Sequence, residues 1–162
     1  MEPKYQPKVA IILVNWNGYD LTRACLESLK ELQYANFQTV LVDNGSVDGS
    51  GEKLKTEFPE IALLSSPENI GFTGGNNLGI QWALDHFFDQ VLLLNNDTLV
   101  EPDFLNPLVS FLEQNPDYGA VQPKIMLEDI SSMKLCSFDD VYPCNCCAQN
   151  DAMHYCREYD IT

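Results

Sequence analysis

Short apolar runs alternate with amphipathic stretches over the first 126 residues of the chain. At residues 91–94, four aliphatic residues follow one another without polar alternation, and Asn95, Asn96 and Asp97 come directly after them. A continuous apolar run of this length is typical of a strand covered on both faces, as in a parallel sheet flanked by helices. We therefore expect a buried strand that ends in a polar tip.

The same alternation extends over most of the chain. Further strands are predicted at residues 8–14, 37–42, 61–64 and 119–125. Helices are predicted after Asp20, at 52–58, from 73–76 onward and at 101–115. The last of these helices is interrupted by Pro102 and Pro107. The third helix carries apolar residues on more than one face and is expected to be well buried. Strands that alternate with helices predict an α/β fold with a Rossmann-like, mostly parallel sheet.

Composition divides the chain into three parts. Residues 1–7 are expected to form a flexible leader, residues 8–126 an α/β domain, and residues 127–162 a cysteine-rich tail of unknown structure. The tail holds five of the six cysteines together with His154, but it lacks the paired Cys-x-x-Cys spacing of ordinary zinc sites. We do not predict a zinc site there.

The charge of the chain limits its partners. The net charge is -15 and only nine lysines and arginines are present, which argues against nucleic acid as a partner. An anionic ligand would need positive potential from a metal ion, helix N-termini or backbone amides. No segment has the roughly 18 consecutive apolar residues of a membrane span, so the expected location is the cytoplasm, including the inner face of the membrane.

Polar residues cluster where the predicted strands end. In a parallel sheet these ends share one edge, at which α/β proteins bind ligands. The tips and the loop at 69–77 together offer the chemistry of a nucleoside diphosphate site: an aromatic face, an acceptor carboxylate, glycines that admit a diphosphate, and a carboxylate for a divalent cation. The residues concerned are Trp16, Asp43, Gly71, Gly74, Gly75 and Asp97.

Four motifs occur in order along the chain: VAIILVNWNG, VLVDNGSVDGS, NIGFTGGNNLGI and LLLNNDTLVEPDFL. They resemble, in turn, the first strand and loop, the second strand with its base-contacting Asp, the glycine and asparagine loop, and the metal-binding DXD region of family 2 glycosyltransferases. Residues 9–126 are thus similar to the nucleotide-binding half of these inverting enzymes, closest to the rhamnosyltransferase-like branch. The resemblance implies an A-type glycosyltransferase fold, here incomplete.

The resemblance also implies roles for individual residues. Asp97 would hold Mg²⁺ or Mn²⁺, and Asn95 stands where the DXD motif has its first Asp, so one carboxylate is replaced by an amide. The residues expected to bind the nucleotide and the donor sugar are Asn15, Trp16, Asn17, Asp43, Asn44, Gly71, Phe72, Gly75, Asn76, Asn95 and Asn96.

The implied reaction is the transfer of a hexosyl or rhamnosyl group, with inversion, from a UDP- or dTDP-linked sugar to a hydroxyl of a saccharide or lipid-linked saccharide, as in polysaccharide biosynthesis. Such a reaction needs a carboxylate base for the acceptor proton. Glu128 and Asp129 are the candidates, although solvated acidic residues explain them more simply. Homo-oligomerisation is a further expectation, because apolar surface left by a missing half would favour self-association.

Three other functions compete with this hypothesis. A truncated nucleotide-sugar-binding module without transfer activity would show the same motifs. A nucleotidyltransferase would need a basic glycine-rich loop after the first strand, and a dinucleotide dehydrogenase would need GxGxxG there. The loop Asn15-Trp16-Asn17-Gly18 has neither feature, so both rank below the transferase and the binding module.

Overall fold

Strands and helices alternate strictly through residues 5–123, which are the residues that the computed structural model describes. The strands are β1 (Val9–Asn15), β2 (Phe37–Asn44), β3 (Ala62–Ser66) and β4 (Gln90–Leu93), and the helices are α1 (Tyr19–Lys30), α2 (Ser50–Glu57), α3 (Gly71–Asp85) and α4 (Leu105–Gln114). Helix α1 has Gly18 as its N-cap, without a side-chain cap, and not Asp20 as expected. Asp20 lies in the first turn of α1, where a negative charge is favourable.

The strands form one parallel sheet in the order β3-β2-β1-β4. The register pairs Asn15 at the end of β1 with Asp43 of β2, and Asp43 with Ser65 of β3. The carboxyl ends of three neighbouring strands therefore meet at one edge. The predicted α/β fold with a parallel sheet is confirmed.

Each face of the sheet has its own apolar core, because successive side chains of a strand point to opposite faces. On one face, Ile11 and Leu13 of β1 belong to a buried cluster with α1, α2 and α4. On the other, Ile12 of β1 and Val40 of β2 pack with Ala83 of α3. The two clusters fix the sheet rigidly beneath its polar edge.

Helix α3 approaches the sheet through glycines. A Cβ placed at Gly79 would lie 2.5 Å from Cγ2 of Ile12, and one at Gly75 would lie 2.8 Å from Cγ1 of Val14. The expectation that this helix is well buried is wrong, since Leu84 is 60% exposed. Gly75, Gly79 and Ala83 are the buried small residues of this helix, while Ile80 and Trp82 pack against the same cluster but are only partly buried.

Gly79→Ala is therefore expected to lower the free energy of unfolding by about 1–3 kcal/mol, because the added methyl overpacks the helix–sheet contact. Alanine normally stabilises a helix by about 1 kcal/mol relative to glycine, and we expect the overpacking to outweigh this gain. Asn77→Ala, at an exposed position of the same helix, is the control and should unfold like the wild type in urea. Equal stability of the two variants would contradict the close approach.

Strand β4 departs from the prediction of a strand buried on both faces. Among residues 5–123, it pairs only with β1 and forms the edge of the sheet, with Val91 39% and Leu93 48% exposed. Leu92 and Leu94 face the cluster that includes α4. The aliphatic run predicts a strand correctly but does not reveal how many neighbours the strand has.

The last predicted elements also change. Helix α4 begins at Leu105 and not at residue 101, and Pro107 lies in its first turn, where a missing backbone N–H costs little. Residues 119–123 form no strand, while residues 124 and 125 of that predicted strand lie outside the described residues. The tail at 127–162, with Glu128, Asp129 and five cysteines, also lies outside them, as do residues 1–4. Among residues 5–123, no helix combines the length and apolar character needed to cross a membrane.

Candidate functional site

Asn15, at the end of β1, lies at the centre of the polar edge. Its side chain is completely buried. The two N–H groups of Nδ2 are shared among three acceptors, namely Asp43 Oδ1 at 3.2 Å, Ser46 Oγ at 3.1 Å and Ser50 Oγ at 2.8 Å. The structure places the side chain of Asn15 beside Asp43, where protein groups occupy its polar atoms, and its predicted part in nucleotide binding stays a prediction.

Asp43, at the end of β2, is the carboxylate that Asn15 supports. Its Oδ1 atom also accepts a hydrogen bond from the hydroxyl of Ser46, and its side chain is half-buried. A Cβ at Gly51, in the first turn of α2, would lie 2.5 Å from Asp43 Oδ2 and 2.9 Å from Asp43 Cβ. Gly51 therefore makes room for this carboxylate, a role that sequence reasoning missed although the DGSG turn marks the position.

The loops after β1 and β2 are hydrogen-bonded to one another beside Asp43. The backbone N–H of Asn17 donates to Ser46 Oγ at 2.9 Å, and Asn17 Oδ1 accepts from the backbone N–H of Val47 at 2.9 Å. Asn17 has a left-handed backbone, with φ of 51°. The neighbouring Trp16 is 57% exposed, so its ring is available to a ligand.

The N-terminus of α2 is held by a further carboxylate. Asp48 Oδ1 accepts a hydrogen bond from the backbone N–H of Ser50 at 2.9 Å. Hydrogen bonds from Ser50 lower the pKa of Asp48 below its usual value, so this carboxylate stays charged. This hydrogen bond stabilises the turn between β2 and α2, from which Ser46 and Ser50 contact Asn15.

The glycine and asparagine loop is attached to β2 by Asn44. Its Nδ2 donates to Asn69 Oδ1 at 3.0 Å and to the Gly71 carbonyl at 3.2 Å, while its Oδ1 accepts from the backbone N–H of Ile70 at 3.0 Å. Asn44 is buried, so these bonds define the place where α3 begins. They bring the predicted residues Asn44 and Gly71 together.

The N-cap residue of α3, Ile70, makes no side-chain cap bond, while Asn69 Oδ1 accepts a hydrogen bond from the backbone N–H of Gly71 at 2.8 Å. Phe72 is 63% exposed, and Gly71 has a positive φ of 78° with free space around it. The buried Asn76 donates to the Phe72 carbonyl at 2.9 Å, within its own helix. The close contact of Gly75 with Val14 explains why a glycine is needed at this position. The predicted ligand contacts of Gly75 and Asn76 stay predictions.

The loop after β4 is held by one face of α1. Asn96 Nδ2 donates to Thr22 Oγ1 at 2.8 Å, and the Cys25 thiol lies 3.8 Å from the Asn95 carbonyl oxygen, to which it donates. Burial, together with the nearby charge of Asp97, raises the pKa of Cys25 to about 12. The thiol is therefore protonated at neutral pH and serves as a hydrogen-bond donor.

Asp97 is exposed at the tip of this loop. Among residues 5–123, no group of three or more His, Cys, Asp or Glu side chains forms a closed metal site. Mg²⁺ is nevertheless commonly bound by one or two carboxylates together with phosphate oxygens of the substrate. A single exposed carboxylate fits a metal whose remaining ligands come from a diphosphate and water.

A cavity of about 330 Å³ lies away from these tips, between the amino end of β4 and α4. Its lining is mainly apolar and includes Val9, Val91, Leu105 and Val109. It contains none of the polar residues described above. We therefore assign the candidate site to the carboxyl edge of the sheet.

The fold resembles that of solved glycosyltransferases. A mannosyltransferase from Pyrobaculum calidifontis, solved in complex with GDP-Man and Mn²⁺, superimposes with a TM-score of 0.57 at 27% identity, over 68% of this chain and 33% of that chain. The parallel sheet and its flanking helices thus define an A-type glycosyltransferase fold.

Sequence comparisons identify the family. The model of glycosyl transferase family 2 matches residues 10–130, which is most of the chain, and the chain belongs to this family. Glycosyltransferase GlyA of Streptococcus pneumoniae is 31% identical over 104 residues, covering 62% of this chain and 14% of that protein. The O-antigen biosynthesis protein RfbC of Myxococcus xanthus is 32% identical over 128 residues, covering 76% of this chain and 10% of that protein. The chain therefore spans only a small part of these relatives.

Proposed function

We propose that this chain forms the donor-binding part of an inverting glycosyltransferase, which moves a sugar from a UDP- or dTDP-linked donor to an acceptor hydroxyl with the help of a divalent metal. One observation carries the proposal: a hydrogen-bonded network joins the tips of β1, β2 and β4 and leaves Trp16 and Asp97 exposed around it. Family membership supports the same function.

The nucleoside part of the donor would bind beside Asp43. This carboxylate is half-buried and held by Asn15, so it is preorganised to accept hydrogen bonds from base N–H or ribose O–H groups. The exposed ring of Trp16 offers a stacking surface for the base. Both features favour a nucleoside over an uncharged sugar alone.

The diphosphate would bind between the N-terminus of α3 and the loop that carries Asp97. Backbone N–H groups in the first turn of a helix attract anions, and the N-cap residue of α3, Ile70, makes no side-chain cap bond. In a chain with a net charge of -15, a metal ion would also supply needed positive charge. The Mn²⁺ bound with GDP-Man in the related mannosyltransferase supports this assignment.

Mg²⁺ or Mn²⁺ held by Asp97 would stabilise the negative charge of the departing diphosphate. Asp43 and Trp16 would orient the donor, and Asn95 and the backbone of Asn96 would line its diphosphate or sugar, since the Asn96 side chain donates to Thr22. The base that accepts the proton of the acceptor hydroxyl is not assigned among residues 5–123, and Glu128 and Asp129 remain candidates beyond them. The acceptor class, a cytoplasmic location at the inner membrane face and homo-oligomerisation remain part of the proposal.

Isothermal titration of the purified chain with UDP, dTDP and GDP, each with and without Mn²⁺, tests the donor site. We expect one of the nucleotides to bind in a metal-dependent manner. If none binds at millimolar concentrations while circular dichroism shows a folded protein, the donor-site proposal is wrong. A separate activity assay uses the sugar nucleotide that corresponds to the bound nucleotide. If this sugar nucleotide binds but the chain neither transfers nor hydrolyses its sugar, the alternative of a binding module without activity is favoured.

A further inference from the structure

We infer that Thr22 and Asn15 are positioning residues, which hold the Asp43 carboxylate and the loop that carries Asp97 in one fixed arrangement. The inference rests on the proposed donor site. Strands β2 and β4 are not neighbours, because β1 lies between them in the sheet. Backbone pairing of β1 with β2 extends to Asn15 and Asp43, but pairing of β1 with β4 ends at Ile12 and Leu93. The strand register therefore does not position the loop that carries Asp97, and a side-chain connection across β1 can.

The orientation of the Asn15 amide is determined by its partners. The backbone N–H of Gly18 can only donate, and it lies 3.2 Å from Asn15 Oδ1. The amide oxygen of Asn15 must therefore face Gly18, which turns Nδ2 toward Asp43. Because Asn15 is 0% exposed, water cannot replace these partners.

Thr22 extends this connection to β4. Its hydroxyl lies 3.0 Å from Asn15 Oδ1 and 2.8 Å from Asn96 Nδ2, and its side chain is completely buried. The single hydroxyl proton is given to the acceptor Asn15 Oδ1, so the hydroxyl oxygen accepts from Asn96. A directional chain of hydrogen bonds thus runs from Asn96 through Thr22 and Asn15 to the carboxylate of Asp43.

Other groups on α1 and before it fit the same role. Cys25 and Ser28 follow Thr22 at intervals of three residues, on the same side of the helix, and Ser28 Oγ accepts from the backbone N–H of Val100 at 3.3 Å. A Cβ at Gly18 would lie 3.2 Å from both Asn15 Oδ1 and Asn96 Nδ2. Helix α1 is therefore fitted closely to the loop after β4, and Asn96 directly precedes Asp97.

The test compares nucleotide affinities of variants, using the nucleoside diphosphate and Mn²⁺ that the wild type binds. Thr22→Val keeps the shape of the side chain but removes the hydroxyl, and it is expected to weaken binding about tenfold, as for the loss of buried hydrogen bonds. Thr22→Ser keeps the hydroxyl and should remain within about threefold of the wild type. Thr56→Val, at an exposed position of α2, is the matched control.

A role in folding alone would lower the melting temperature of Thr22→Val without changing the affinity of the folded protein, and that result would overturn the inference. Binding by the wild type tests the proposed function separately. If the wild type and Thr22→Val bind nucleotide equally well, only the positioning role is contradicted, and the proposed donor site stands.

A second variant keeps the inference testable if Thr22→Val fails to fold. Asn96→Ala removes the donor at the other end of the hydrogen bond, on a loop near the surface. We expect an affinity loss similar to that of Thr22→Val, and the double variant should lose no more than either single one, because both interrupt the same chain. Full affinity of Asn96→Ala, or additive losses in the double variant, would show that Thr22 and Asn96 act independently.

Discussion

Asp97→Ala is expected to weaken the binding of a nucleoside diphosphate in the presence of Mn²⁺ by about 100-fold, or ~2.7 kcal/mol. The reason is that the variant removes the exposed carboxylate that directly follows Asn95 and Asn96 in the loop after β4, and hard cations such as Mg²⁺ and Mn²⁺ need charged oxygen ligands. Without Mn²⁺, the affinities of variant and wild type should be similar. Isothermal titration with and without the metal measures both.

Two controls separate the loss of a metal ligand from a general loss of charge. Asp117→Ala removes an exposed carboxylate outside the site and should bind like the wild type. Asp97→Asn keeps the shape of the side chain and should nevertheless lose metal dependence, because an amide oxygen carries no net charge. Retention of metal-dependent binding by Asp97→Ala would show that Asp97 does not hold the metal.

Gly51→Ala is expected to damage both the stability of the fold and the nucleoside side of the site. The new Cβ would lie 2.5 Å from Asp43 Oδ2 and 2.9 Å from Asp43 Cβ, so rotation of the carboxylate alone cannot relieve the contact. We expect a loss of about 1–3 kcal/mol in the free energy of unfolding, as for other overpacked positions. The displaced Asp43 should also lose its hydrogen bond to Asn15, with nucleotide affinity lowered about tenfold.

Gly119→Ala provides the comparison for this variant, since a Cβ at Gly119 meets nothing within 4 Å. Urea unfolding and nucleotide titration should show Gly119→Ala close to the wild type. If Gly51→Ala were as stable as Gly119→Ala and bound nucleotide equally well, then Asp43 would not depend on the space that Gly51 leaves.

The sequence alone determined the order of strands and helices and the positions of the polar tips. The reason is local: runs such as residues 40–42 and 91–94 are apolar throughout, and each is followed directly by Asp or Asn. A parallel sheet then brings its carboxyl ends to one edge, so the neighbourhood of Asn15 and Asp43 could be predicted from topology, and the register confirms it.

Only the tertiary structure decided which polar residues face outward and which support them. Asn15 and Trp16 are neighbours in sequence, yet one is completely buried in hydrogen bonds and the other is 57% exposed. Thr22 shows no sign of its role in sequence, because its partner Asn96 lies 74 positions away. The DGSG turn marks Gly51 as part of a turn, but not its contact with Asp43. Hydrogen bonds and close contacts between distant segments depend on how the helices pack on the sheet, and local sequence patterns do not encode that packing.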